Sequence, residues 1–124
     1  MPKTIKGILI NVYEGYVKVV EIEKTLDEYH RILGCSCIDI VRRKIGDRTF
    51  EIVLDDEGAL KTRPIISAVD NWGNPALVGN LFIVKFNGED DITSLTEQDI
   101  DFIKTKIKSY YDSNCFILTC VECY

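Results

Sequence analysis

Two pairs of strand-patterned runs, each doubled back about a tight turn, limit what this chain can fold into. Ile5 to Val12 sets Ile8, Ile10 and Val12 on one face, Glu14-Gly15 marks a turn, and Tyr16 to Ile22 returns with Val17, Val19, Val20 and Ile22. Such a β-branched run suits a pleated, largely buried surface. Cys37 to Lys44 and Arg48 to Leu54 repeat the pattern across Gly46-Asp47, with Phe50, Ile52 and Leu54 apolar and Thr49, Glu51 and Val53 mixed. Side chains alternate across a strand, so each pair reads as an antiparallel hairpin with a face to cover.

Two helices are available to cover it. Thr25-Leu26-Asp27-Glu28 has the spacing of a capping box, in which the threonine hydroxyl accepts from the amide three residues on and the glutamate reaches back. Leu26, Tyr29, Ile32 and Leu33 follow at helical spacing, and Gly34 supplies the left-handed residue that ends a helix. Thr96 is the cap expected for a second helix, with acidic residues in its first turn and a stripe of Ile100, Ile103, Ile107 and Tyr110. Ser113-Asn114 would break it before a last strand from Cys115 to Val121. The expectation is one α+β domain over 1–124: an antiparallel or mixed sheet of about five or six strands with two helices on one face.

Between the second hairpin and the late strands lies a stretch of about twenty residues without a regular hydrophobic period, a length that in a compact domain points to function or disorder. It includes Asp55-Asp56-Glu57-Gly58, Arg63-Pro64 and Asn71-Trp72-Gly73-Asn74-Pro75, and so holds the only tryptophan and two of the three prolines. Ile65 to Val69 fits a helical turn or a short strand equally well. Leu77 to Phe86 reads as one strand, where Gly79 suggests a bulge or a close backbone approach.

Composition excludes several classes. Of 124 residues, 46% are hydrophobic and 28% charged, the balance of a globular protein rather than a disordered one. A net charge of −5 argues against binding nucleic acid through phosphates, and Arg42-Arg43-Lys44 and Glu89-Asp90-Asp91 are short enough to be solvated strand ends and turns. Met1-Pro2-Lys3 leads directly into a strand, without a signal-peptide pattern, and the apolar runs are too short to span a bilayer; the expectation is a cytoplasmic chain without a membrane role. Cys35, Cys37, Cys120 and Cys123 could supply four zinc thiolates, but C-x-C spacing is atypical and buried free thiols are the plainer reading; no metal or cofactor is expected. His30 has no cysteine or serine near it in sequence, and no Gly-rich phosphate loop, HExxH or nucleophile elbow occurs.

The succession of features resembles a family of small domains of unknown function found mainly in bacteriophages, plasmids and conjugative elements. It rests on the N-terminal hairpin, the helix ending at Gly34 with Ile38-Asp39 after it, and Asp56-Glu57-Gly58-Ala59-Leu60. Pro64, Gly79 ahead of Phe82-Ile83-Val84, and Ser94-Leu95-Thr96-Glu97-Gln98-Asp99-Ile100 complete it, over roughly 5–107. The strand at 115–122 lies outside it as an extension. The family commonly has an asparagine after the proline-rich step where this chain has Ile65, so that contact does not carry over. The resemblance implies a biological setting and no activity or cofactor.

With no catalytic constellation visible, the first expectation is a non-enzymatic protein that binds or inhibits a host protein. Trp72, Asn71 and Asn74 are the candidate contacts, because tryptophan is over-represented at interface hot spots. The opposing reading has Trp72 packed beneath its own loop. The second expectation is a small nucleotide-like ligand, with Trp72 stacked on a base and Arg63 at a phosphate. The last strand, apolar on both faces, belongs either at the sheet centre of a monomer or at an edge that pairs in a homodimer.

Overall fold

The computed structural model describes residues 4–35, 37–56, 66–86, 92–110 and 115–122. In chain order the elements are β1 (Thr4–Asn11), β2 (Tyr16–Glu23), α1 (Leu26–Leu33), β3 (Ile38–Ile45), β4 (Arg48–Asp55), β5 (Ile66–Val69) and β6 (Pro75–Val78). β7 (Leu81–Phe86), β8 (Ile92–Thr93), α2 (Glu97–Lys104), β9 (Ile107–Tyr110), β10 (Cys115–Thr119) and β11 (Val121–Glu122) follow.

Both expected hairpins form. Tyr16 pairs with Asn11 and Glu23 with Thr4 across β1–β2; Arg48 pairs with Ile45 and Asp55 with Ile38 across β3–β4. They are joined through β7, which pairs with β4 on one side and β1 on the other, so the main sheet runs β11-β3-β4-β7-β1-β2. Beyond the end of its β1 pairing, β7 takes β8. At Gly7 of β1 there is no room for a side chain, since a Cβ would meet the Ile83 carbonyl oxygen and the Phe82 ring of β7.

The α+β class holds, but the single sheet does not. A second sheet of four strands runs β6-β5-β10-β9, and its β5–β10 pair is parallel. The ambiguous run at Ile65 to Val69 is strand β5 over Ile66–Val69. The expected strand from Leu77 to Phe86 is two strands, one in each sheet, parted at Gly79 and Asn80. Gly79 takes φ 87°, a left-handed conformation open to glycine, so it marks the corner between sheets rather than a bulge. The last strand is likewise divided: β10 lies inside the small sheet between β5 and β9, and β11 joins the main sheet beside β3. Of the two positions considered for that strand, β10 takes an interior one and β11 an edge of the main sheet.

The helices cover opposite faces of the main sheet, not one. Alternation sends Ile8, Ile10, Phe50, Ile52, Leu81 and Ile83 to one side, where they meet Ile100 and Ile103 of α2 and Ala68, Leu77 and Leu118 of the small sheet. Leu9, Val53, Phe82 and Val84 point the other way and meet Tyr29 and Leu33 of α1. Each such side chain taken fully from water contributes about 1.5–3 kcal/mol.

Local signals set the helix ends. Thr25 Oγ1 accepts from the Glu28 amide at 3.2 Å and Gly34 ends α1 at φ 67°, but the Glu28 carboxylate pairs with Arg31 instead of reaching back. The capping box belongs to α2: Thr96 Oγ1 accepts from the Asp99 amide, and Asp99 Oδ2 accepts from the Thr96 amide at 3.1 Å. Asp99 also draws Lys85 to 3.4 Å and Arg48 to 3.6 Å, tying α2 to β7 and β4. Burial would raise its pKa, but the Thr96 hydrogen bonds and the Lys85 charge prevail and hold it below the usual carboxylate value. α2 does not continue to Tyr110 as its stripe suggested. It stops at Lys104, Thr105 Oγ1 donates to the Phe102 carbonyl, and Ile107 turns into β9 to pair with Leu118. None of the described helices is long and apolar enough to cross a membrane.

Candidate functional site

The loop singled out by its irregularity is a built turn. β5 and β6 form a hairpin in which Ile66 pairs with Val78 and Val69 with Pro75, the register slipping between. Pro75 can open β6 because that strand is an edge of the small sheet and the missing N–H leaves no ladder bond unmade. Asp70 organises the tip. Its Oδ1 accepts from the amides of Trp72 and Asn74, both at 2.9 Å. Its own amide donates to the Asn74 carbonyl, and its carbonyl accepts from Gly73. An aspartate bonding backbone amides two and four residues on mimics a further turn of main chain. Gly73 at φ 84° permits the reversal.

Trp72 stands on this tip 83% exposed, and Asn71 and Asn74 beside it are exposed too. The three candidate contacts are therefore brought together, and the reading that buried Trp72 beneath its own loop is overturned. Because the Asp70 bonds satisfy the turn's amides locally, the ring has no structural reason to fold inward. The amide of Asn74, opposed by desolvation and helped by that of Trp72, holds the Asp70 carboxyl below its ordinary pKa. Arg63 lies outside the described residues, as do Glu57, Gly58, Glu89 and Asp90.

The described cysteines are not gathered. Cys35 packs against the core cluster on the α1 side, Cys120 is buried in the cluster on the other side, and Cys37 is exposed; Cys123 lies outside the described residues. Among the described residues, no group of three or more His, Cys, Asp or Glu side chains is placed to hold a metal ion.

Sequence reasoning passed over Asn11 and Asn80, both buried. Asn11 Oδ1 accepts from the amides of Tyr13 and Glu14 and shapes the first hairpin turn. Asn80 Oδ1 accepts from the Val12 amide at 2.9 Å, and its Nδ2 donates to the Leu33 carbonyl at 3.2 Å. An asparagine directly after a corner glycine was the available signal. Both line a cleft between α1 and the first hairpin.

No curated protein and no solved structure matches the chain significantly. A family model described as a domain of unknown function (DUF3846) matches residues 5–108, which is most of the chain, and the match ends within β9. The chain belongs to the DUF3846 family of domains of unknown function.

Proposed function

We propose that this chain is a non-enzymatic binding protein that engages a partner protein of its host cell through the β5–β6 turn. One observation carries the reading: the only tryptophan is 83% exposed on a turn whose backbone is already ordered by Asp70. Exposing a large indole forgoes the stabilisation its burial would bring. Ordering its turn in advance lowers the entropy lost when a partner covers it. Trp72 would be the central anchor, with Asn71 and Asn74 as polar contacts at its rim. Inhibition of the host protein would follow from that occupancy.

A binding experiment with matched variants tests this. Native protein, Trp72→Ala and a remote control, Lys108→Ala, are immobilised and exposed to lysate from the host. A partner retained by native and control but lost by Trp72→Ala supports the reading. Loss of a hot-spot tryptophan is expected to weaken the purified complex by about 2–4 kcal/mol. Equal retention by all three removes Trp72 from the account. The nucleotide-like alternative at this turn has less support, since Trp72, Asn71 and Asn74 do not line the cleft beside α1.

A further inference from the structure

α1 is shorter than the strands it covers. Its eight residues span about 12 Å, whereas the eight-residue strands β1 and β2 each span about 26 Å. The helix therefore does not cover the whole face of the first hairpin. A cleft of about 640 Å³ results, within the range of small-molecule sites.

Its surfaces differ in kind. Val20 of β2 and Ile32 of α1 offer it partly exposed apolar surface, while Leu9, Ile22 and Leu33 beside them are buried. Tyr16 and Lys18 stand on the opposite side, on the same face of β2 as Val20 and Ile22. Lys18 Nζ lies 4.9 Å from the Tyr16 ring centroid and pairs with no carboxylate among the described residues. The Tyr16 hydroxyl accepts from Asn11 Nδ2 at 3.4 Å, which leaves its own proton to donate. Arg31, from the helix wall, gives Nε to Glu28 and keeps its terminal nitrogens. Two carboxylates also line the cleft. Glu14 lies at the hairpin turn, and Glu21 lies on β2 at a position alternating away from Lys18. Lys18, Arg31 and the Tyr16 hydroxyl thus keep donor capacity on the two sides of the cleft, and two of them are cations.

We propose that this cleft binds a small planar organic anion, its ring against Val20 and Ile32 and its anionic group between Lys18, Arg31 and the Tyr16 hydroxyl. The apolar surface of Val20 and Ile32 suits one face of a ring. A carboxylate, sulfonate or phosphate satisfies the donors, and charge-assisted bonds of this kind are about twice as strong as neutral ones. The site stands apart from the Trp72 turn and does not rest on the protein-binding reading.

Anilinonaphthalene sulfonate, a planar aromatic anion, is the test probe, followed by amide chemical shifts in the full chain at physiological salt. Saturable shifts at Leu9, Val20 and Arg31 to Gly34 are expected. Lys18→Met and Arg31→Met should each weaken probe binding about tenfold, while Lys108→Met, which removes a cation elsewhere, should not. Phenylnaphthylamine, the same ring system without charge, should bind all four proteins equally. Shifts that do not saturate, or that fall elsewhere, would overturn the proposal. So would equal affinity of the sulfonate for native, Lys18→Met and Arg31→Met proteins.

Discussion

Asn80 holds the amide of Val12 at 2.9 Å, across 68 positions of sequence, and with the other end of the same side chain holds the carbonyl of Leu33. One buried amide thus joins the corner between the two sheets to the end of β1 and to the C-terminus of α1. Neither backbone group can turn to water, so the side chain's contribution shows in what its removal leaves unpaired.

Asn80→Ala is therefore expected to destabilise the fold by about 2–4 kcal/mol, the sum for two buried groups left without partners. Urea denaturation followed by circular dichroism measures this. Lys108→Ala, an exposed position on β9, should stay within about 0.5 kcal/mol of the native protein. A variant at Asn80 as stable as that control would remove the asparagine from the corner's support.

Asp70 makes the order of the Trp72 turn depend on pH. A carboxylate whose folded pKa is depressed contributes its stabilisation above the unfolded value and loses it as pH falls through the folded one. Hydrogen bonds from Asn74 and Trp72 depress Asp70, so the turn should be ordered at neutral pH. It should loosen only below the ordinary carboxylate value of about 4. With a single tryptophan, fluorescence anisotropy decay reads the turn directly. A fast component should grow on acidification while far-ultraviolet dichroism is still native, and Asp70→Ala should show it at every pH. A native decay in Asp70→Ala at neutral pH would contradict this.

Gly7 tests how tightly β1 and β7 are joined. A Cβ there would meet the Ile83 carbonyl oxygen and, at 2.8 Å, the Phe82 ring. The first contact is with backbone inside the sheet and cannot be relieved by a rotamer change. Gly7→Ala should cost about 3 kcal/mol, at the upper end for overpacking. Phe82→Leu in the same chain should recover only part of it, because the carbonyl remains. Thermal unfolding of the single and double variants separates the two contacts.

What the sequence disclosed was local. Thr25, Gly34 and Thr96 act within one helical turn of themselves, and both hairpin turns join adjacent runs, so their patterns survive in a linear reading. Ile107 fits a 3.6-residue stripe and a strand alternation equally, and its pairing with Leu118 decides between them. The split of Leu77–Phe86 was hidden because both halves are strands and differ only in which sheet they join. Asp70, which orders the turn at 70–74, reads in sequence as one more turn residue. Lys18 and Arg31 read as solvated charges on separate elements, and only tertiary packing sets them on facing walls.

The C-terminal strand offers the sharpest division between family match and fold. The match stops at residue 108, within β9, yet β10 lies inside the small sheet with β5 on one side and β9 on the other. Leu118 and Cys120 are buried in the cluster that also holds Ile10, Ile52, Ile83 and Ile103. Removing β10 would strip pairing partners from two strands at once and open the core beneath them. A chain ending at Ser113 is therefore expected to lose cooperative unfolding altogether. One ending at Cys120, which lacks the two-residue edge strand β11 and the two residues after it, should keep it with a modestly lower midpoint. Calorimetry on both truncations measures the difference. A cooperative transition in the shorter chain would mean that 5–108 folds alone and that β10 is an accessory to it.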